Sequence, residues 1–199
     1  MRMPGFKIKM SIILACLAFL NLFYSLDCYS KTHKIVMIIA SLNFRDEEFK
    51  VPKDIFEKNG YSITVVSGSL SLSVGMLGMK VRPDITLDKV KVDDFDAVVF
   101  IGGSGSAEYF TNELAHKIAK DAVAKGKTLG AICLAPVILA NAGLLKGKKA
   151  TCNDPESIIK KGADYTGRSV EQDGKIITGI GPEAAKEFAE TILRSCKNP

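Results

Sequence analysis

Three groups of residues in this 199-residue chain could do chemistry. The first is Gly126-Lys127-Thr128-Leu129-Gly130-Ala131-Ile132-Cys133-Leu134-Ala135-Pro136, which reads as a buried strand running into Cys133 and turning at once into a helix over 135–145. A strand that delivers a nucleophile into a tight turn before a helix needs small residues two places either side of it; serine hydrolases use glycine there. Ala131 and Ala135 meet that need. A sulfur in such a turn faces free backbone N–H groups and a helix N-terminus, which favour thiolate over thiol. A buried cysteine closing an ordinary core strand carries the same local pattern, so the neighbouring groups matter. The second group is Asp46-Glu47-Glu48, at the start of a helical stretch. Acidic residues there serve as caps and dipole partners, and a carboxyl beside a thiol can also carry a proton. The third is Gly102-Gly103-Ser104-Gly105-Ser106, a source of backbone N–H donors. It is not a G-x-G-x-x-G nucleotide loop, because Glu108 stands where the last glycine belongs and the loop follows a later strand. His33 lies at the start of the chain that follows the leader and His116 lies in a lysine-flanked helix, so neither presents itself as a base. No His/Cys spacing supports a metal site.

The elements that position these groups alternate. Lys34–Ala40 is a continuous apolar run, as expected of a strand buried on both faces. Asp46 caps an expected helix through Lys58, closed by Asn59-Gly60. Tyr61–Val66 and Ala97–Ile101 read as further strands, and Glu113–Lys125 as a helix. The pieces 78–81 and 84–87 read as a hairpin or edge excursion. Ala150–Cys152 reads as a short strand, Pro155–Lys161 as a short helix, 170–178 as a hairpin with Asp173-Gly174 at its turn, and Pro182–Arg194 as a closing amphipathic helix. This β-α-β-α-β order predicts a parallel sheet with helices on both faces. In such sheets ligands bind beyond the carboxyl ends of the strands. Glu48, the glycine loop and Cys133 all fall at such ends, so a carboxylate, N–H donors and a thiol would meet in one crevice.

The first thirty residues read differently. A basic start (Arg2, Lys7, Lys9), an apolar run over 11–26 and small residues around Cys28-Tyr29-Ser30 form a secretory signal peptide pattern or an N-terminal membrane anchor. The expected organisation is a leader over 1–30 and one domain over 31–199, exported, and at the membrane only if the leader is retained. Setting aside three basic and one acidic residue of the leader leaves 24 against 21, a net charge of +3. With no basic stripe interleaved with aromatics, nucleic acid is not an expected partner. Cys133, Cys152 and Cys196 remain, an odd number that leaves at least one thiol unpaired. Cys152 and Cys196 could pair in an oxidising compartment if the last helix packs near the strand carrying Cys152.

Taken together, Ala131-Ile132-Cys133-Leu134-Ala135-Pro136, the Phe100-Ile101-Gly102-Gly103 strand end, Glu48 four residues before Pro52, and the 170–179 stretch VEQDGKIITG resemble the ThiJ/PfpI superfamily over about 34–196. That superfamily holds deglycases and PfpI-type intracellular peptidases. The resemblance implies a flavodoxin-like three-layer α/β/α sandwich of the class I glutamine amidotransferase-like kind. It also implies Cys133 as nucleophile, Glu48 rather than Glu47 as its carboxyl partner, and the N–H groups of Gly103 and Leu134 as an oxyanion pocket. It implies no cofactor, no metal, a small carbonyl compound or glycated side chain as substrate, and a homodimer. The chain departs from the family pattern at histidine. Leu134 follows the cysteine where PfpI-type peptidases carry histidine. The region where the deglycase branch has its histidine reads Thr151-Cys152-Asn153-Asp154-Pro155, in which Asn153 or Asp154 could orient a group. A Cys-His dyad is therefore not expected. Three functions stay open: a cysteine-dependent glyoxalase- or deglycase-like enzyme, a peptidase or amidohydrolase, and a non-catalytic redox sensor or stress chaperone.

Overall fold

The computed structural model describes residues 33–197. The leader, its cleavage point and Cys16 and Cys28 lie outside the described residues. The strands are β1 Lys34–Ile38, β2 Leu42–Phe44, β3 Ser62–Ser67, β4 Ser73–Gly75, β5 Lys80–Val81, β6 Ile85–Thr86, β7 Ala97–Phe100, β8 Thr128–Ile132, β9 Lys149–Ala150, β10 Asp164–Tyr165, β11 Val170–Asp173 and β12 Ile176–Gly179. The helices are α1 Asp46–Lys58, α2 Glu113–Ala124, α3 Pro136–Asn141, α4 Pro155–Ile159 and α5 Ala185–Lys197. Seven strands form one sheet in the order β11-β12-β8-β7-β1-β3-β6. All its pairings are parallel except β11 with β12.

Alternate residues of each central strand feed two cores. Val36, Ile38, Val98, Phe100 and Leu129 pack with Ala115, Ile118 and Ala119 of α2 and Ile138 of α3. Ile35, Met37, Val99, Ile101 and Ile177 pack with Phe49 and Phe56 of α1 and Phe188 and Ile192 of α5. Helices thus cover both faces, which gives the flavodoxin-like three-layer sandwich. The strand order reverses between β1 and β7, and the crevice at that switch point is where such folds bind ligands.

Several local expectations change. Asp46 is not the cap of α1: Arg45 occupies that position without a side-chain hydrogen bond. The Asp46 carboxylate instead accepts the N–H groups of Leu77 and Met79, each at 2.8 Å. The piece 78–81 pairs as β5 with β4 in a small second sheet with β2, whereas 84–87 yields β6 at the edge of the main sheet. The helix after Cys133 stops at Asn141 rather than Leu145. Gly143 turns at φ +80° while its N–H reaches Ala140 and that of Leu144 reaches Leu139, the paired bonds of a Schellman ending. In the β11–β12 hairpin Asp173 is the last paired residue, and Gly174 at φ +62° opens the two-residue loop. Cys152 and Cys196 do not pair; both are free, and they sit in cores on opposite faces of the sheet.

Candidate active site

Cys133 follows β8 directly and takes φ +62°, a left-handed conformation that costs a non-glycine residue about a kcal/mol or more and marks a constrained site. The backbone around it is tied down from both sides. Its N–H donates to Gly179 O at 2.9 Å, and its own carbonyl accepts Asn153 N–H at 2.8 Å and the Cys152 thiol at 3.1 Å. Ala131 and Ala135 are fully buried beside it, which is why the turn demands small side chains there. The elbow read from the sequence is therefore present. The helix after it is only six residues long, so local N–H groups rather than a long macrodipole act on the sulfur. The N–H groups of Gly103 and Leu134 both favour its thiolate.

Glu48 reaches this sulfur from α1. It is fully buried, and its Oε2 accepts Gly102 N–H at 3.1 Å. Oε1 is buried with no directed hydrogen-bond partner among the described residues, on a carboxyl that interacts with the Cys133 thiol. Gly102 makes the approach feasible: a Cβ there would lie 2.5 Å from Ile132 O, 2.6 Å from Glu48 Oε2 and 2.7 Å from Cys133 Cβ. Glu47 turns away into an ion pair with Arg45, Oε2 to Nε 2.9 Å.

Burial pushes the Glu48 carboxyl up to about 7, against the pull of the thiol, of Gly102 N–H and of Arg45. Burial and the Glu48 charge push the Cys133 thiol up to about 12, although Gly103 and Leu134 N–H oppose this. The expected thiolate is thus not a property of the sulfur alone. As pH rises above about 7 the two groups hold one proton between them, and a thiolate exists when that proton sits on Glu48.

The thiol opens into a pocket of about 260 Å³ lined by Arg45, Glu48, Met76, Gly103, Ser104, Cys133, Leu134, Asn153 and Pro182. All four site residues expected from the sequence, Cys133, Glu48, Gly103 and Leu134, meet here. Arg45, Met76 and Pro182 were not foreseen. They come from three separate places, Arg45 before α1, Met76 after β4 and Pro182 in the 3-10 turn before α5, and only the sheet brings them together. Met76 is held in place through Asp46, which fixes the N–H groups on either side of Gly78, and through its own N–H to Phe44 O at 2.9 Å. Asn153 stands in the pocket wall, whereas Asp154 caps α4 through Ser157 N–H at 3.2 Å. His116 is bound to Phe110 O and His33 to Asp96, so no histidine lines the pocket. Among the described residues no group of three or more His, Cys, Asp or Glu comes together to hold a metal ion.

Known proteins share this architecture. The protein MJ0967 of Methanocaldococcus jannaschii is 44% identical over 170 residues, covering 83% of each chain. The deglycase PfpI of Pyrococcus furiosus is 31% identical over 149 residues, 74% of this chain and 90% of that one. The crystal structure of a ThiJ/PfpI domain protein from Brachyspira murdochii matches with a TM-score of 0.82 at 31% identity, covering 85% of this chain and 99% of that one. The family model described as DJ-1/PfpI matches residues 33–195, and the chain belongs to the DJ-1/PfpI family.

Proposed function

We propose that the chain is a cysteine-dependent enzyme acting on small reactive carbonyl compounds, in the manner of a glyoxalase or deglycase. The observation that carries this reading is the pairing of a strained, pocket-facing thiol with a buried carboxyl whose value lies near neutrality. A general acid–base works best when its pKa is close to the working pH. With methylglyoxal, the Cys133 thiolate attacks the aldehyde carbon and Glu48 delivers its proton to the resulting oxyanion, giving a hemithioacetal. Gly103 and Leu134 N–H stabilise that oxygen while it is charged. Glu48, now ionised, takes the proton from the former aldehyde carbon and returns it to the adjacent carbon, while the hydroxyl proton moves to the second oxygen. The product is a lactoyl thioester on Cys133. Water hydrolyses it to lactate and restores the thiol. In total methylglyoxal gains one water, and no electron leaves the system.

Two features favour this reading over a peptidase. The pocket is small, and no histidine stands where an amide leaving group would need an acid. The test is lactate formation from methylglyoxal by the purified protein, its Cys133→Ala variant and its Glu48→Gln variant. Turnover by the parent alone supports the reading; no lactate from the parent, or equal rates from all three, removes it. We also propose that the protein is exported or anchored through its N-terminal apolar run, which intact-mass analysis of the native protein tests. A homodimer, as the family resemblance implies, is tested by sedimentation.

A further inference from the structure

At the pole of the sandwich opposite the pocket, the last turns of α1 and α5 carry positive charge, while Asp93, Asp94 and Asp96 precede β7 at the same pole. α1 and α5 both run away from the Cys133 end and finish there. The groove between them, about 530 Å³, is lined by Ile55, Lys58, Asn59, Lys186, Glu190, Leu193, Arg194 and Lys197. Lysine or arginine in the last turn of a helix is an ordinary partner of its carbonyls, and Lys175 already serves α5 in that way, with Nζ 2.8 Å from Ser195 O. The groove holds more than this requires: four cations face Glu190, which itself lies 4.0 Å from Lys186. Among the described residues Lys58, Arg194 and Lys197 make no ion pair. Of the other acids at this pole, Glu57 is engaged by Lys53 at 2.6 Å, Asp96 by His33 at 3.1 Å and Asp93 by Lys125, while Asp94 makes no ion pair among the described residues.

We propose that this pole is a docking surface for an anionic lipid bilayer. Two observations point to lipid. The groove lining contains no aromatic side chain on which a nucleic acid base could stack. The chain also enters the fold at this same pole, where His33 O accepts Ser62 N–H at 2.8 Å. Only residues 27–32 separate that point from the apolar run over 11–26. Six residues reach about 20 Å at most. Whenever the apolar run is in a bilayer, so short a connection lets this pole come within one Debye length of the headgroups, about 8 Å at physiological salt. Cations so placed add to the attraction of an anionic leaflet. The Cys133 pocket, at the other pole, stays open to solvent.

The experiment is co-sedimentation of the full chain with vesicles of phosphatidylcholine alone and with one third phosphatidylglycerol, at low and high salt. Binding to the neutral vesicles measures the apolar run; the increment from phosphatidylglycerol measures the pole. The combined variant Lys58→Gln, Arg194→Gln, Lys197→Gln should weaken that increment about fivefold per cation, roughly a hundredfold in all, and leave neutral binding unchanged. A control variant with equal charge change on other faces, Lys89→Gln, Lys117→Gln, Lys160→Gln, should keep it. Equal losses in both variants would reduce the effect to net charge and overturn the proposal. So would an increment that survives high salt, or duplex DNA that binds as tightly as the anionic vesicles and is lost with the same three cations.

Discussion

Replacing Glu48 by glutamine should separate two properties of Cys133 that a simple nucleophile would show together. In the parent, burial holds the carboxyl up to about 7, and burial with the ionised carboxylate holds the thiol up to about 12. Between those values the pair carries one proton, on oxygen or on sulfur, in a ratio that pH does not change. Alkylation of Cys133 by iodoacetamide should therefore rise as pH passes through about 7 and then level off. In Glu48→Gln the thiol titrates alone. Burial still raises that thiol while Gly103 and Leu134 N–H lower it; with these set against each other at the free-cysteine value of about 8.5, the four-state cycle puts the parent's plateau at ~3% thiolate. At pH 7 the parent stands at about half that plateau and the variant at ~3%, so their labelling rates agree within roughly twofold. At pH 9 the parent is still at its plateau while the variant is about three-quarters thiolate, so the variant labels on the order of 25-fold faster. The assay is a pH series of labelling rates read by mass spectrometry on the Cys133 peptide, which keeps Cys152 and Cys196 out of the signal. If the parent's rate keeps rising through pH 8 and 9 and meets that of the variant, thiol and carboxyl are not coupled and the reasoning fails.

The same carboxyl should cost stability. Its value rises from the ordinary 4.5 to about 7 in the fold, so between these values the folded chain binds more protons than the unfolded one. Stability contributed by the protonated carboxyl is complete below about pH 4.5 and is lost as pH rises through 7. The loss is about 3 kcal/mol, seen in urea titrations as a decline of the parent that Glu48→Gln does not share. Gly102→Ala should abolish Cys133 chemistry, because the added methyl falls on Ile132 O, Glu48 Oε2 and Cys133 Cβ together; overpacking here should also cost about 1–3 kcal/mol, and a variant whose Cys133 labelling still levels off above pH 7, as in the parent, would contradict the placement of Glu48. Asp46→Ala removes the acceptor of Leu77 and Met79 N–H and should cost about 2–4 kcal/mol, with a raised KM because Met76 no longer holds the pocket wall; an unchanged KM would show that this wall does not touch substrate.

Much of this site was legible because each of its parts leaves a local mark. Buried strands read as unbroken apolar runs at 34–38, 97–100 and 128–132. The elbow shows in the small residues at 131 and 135, and α1 spans the expected range from Asp46 to Lys58. What was not legible depends on partners far away in the chain. Asp46 has the residue type of a cap, yet two N–H groups thirty residues on claim its carboxylate. The pieces at 80–81 and 85–86 look alike in sequence but join different sheets, since Asp84 accepts Val65 N–H at 2.7 Å and sets β6 against the main sheet. The pocket walls Arg45, Met76 and Pro182 have no common spacing, and the basic pole gathers cations from α1, the β11–β12 turn and α5 that no window of sequence contains. The value of the Glu48 carboxyl follows from burial, which only packing decides.

On the proposed function, Cys133 forms a covalent adduct with a small carbonyl compound and Glu48 moves the proton that lets the adduct leave. Rapid quenching of the protein with methylglyoxal, followed by mass spectrometry of the Cys133 peptide, tests both halves at once. The expected result is a lactoyl adduct on Cys133 that turns over in the parent, and in Glu48→Gln an adduct that forms but releases no lactate. Lactate formation with no adduct on Cys133, or undiminished release by Glu48→Gln, would contradict it.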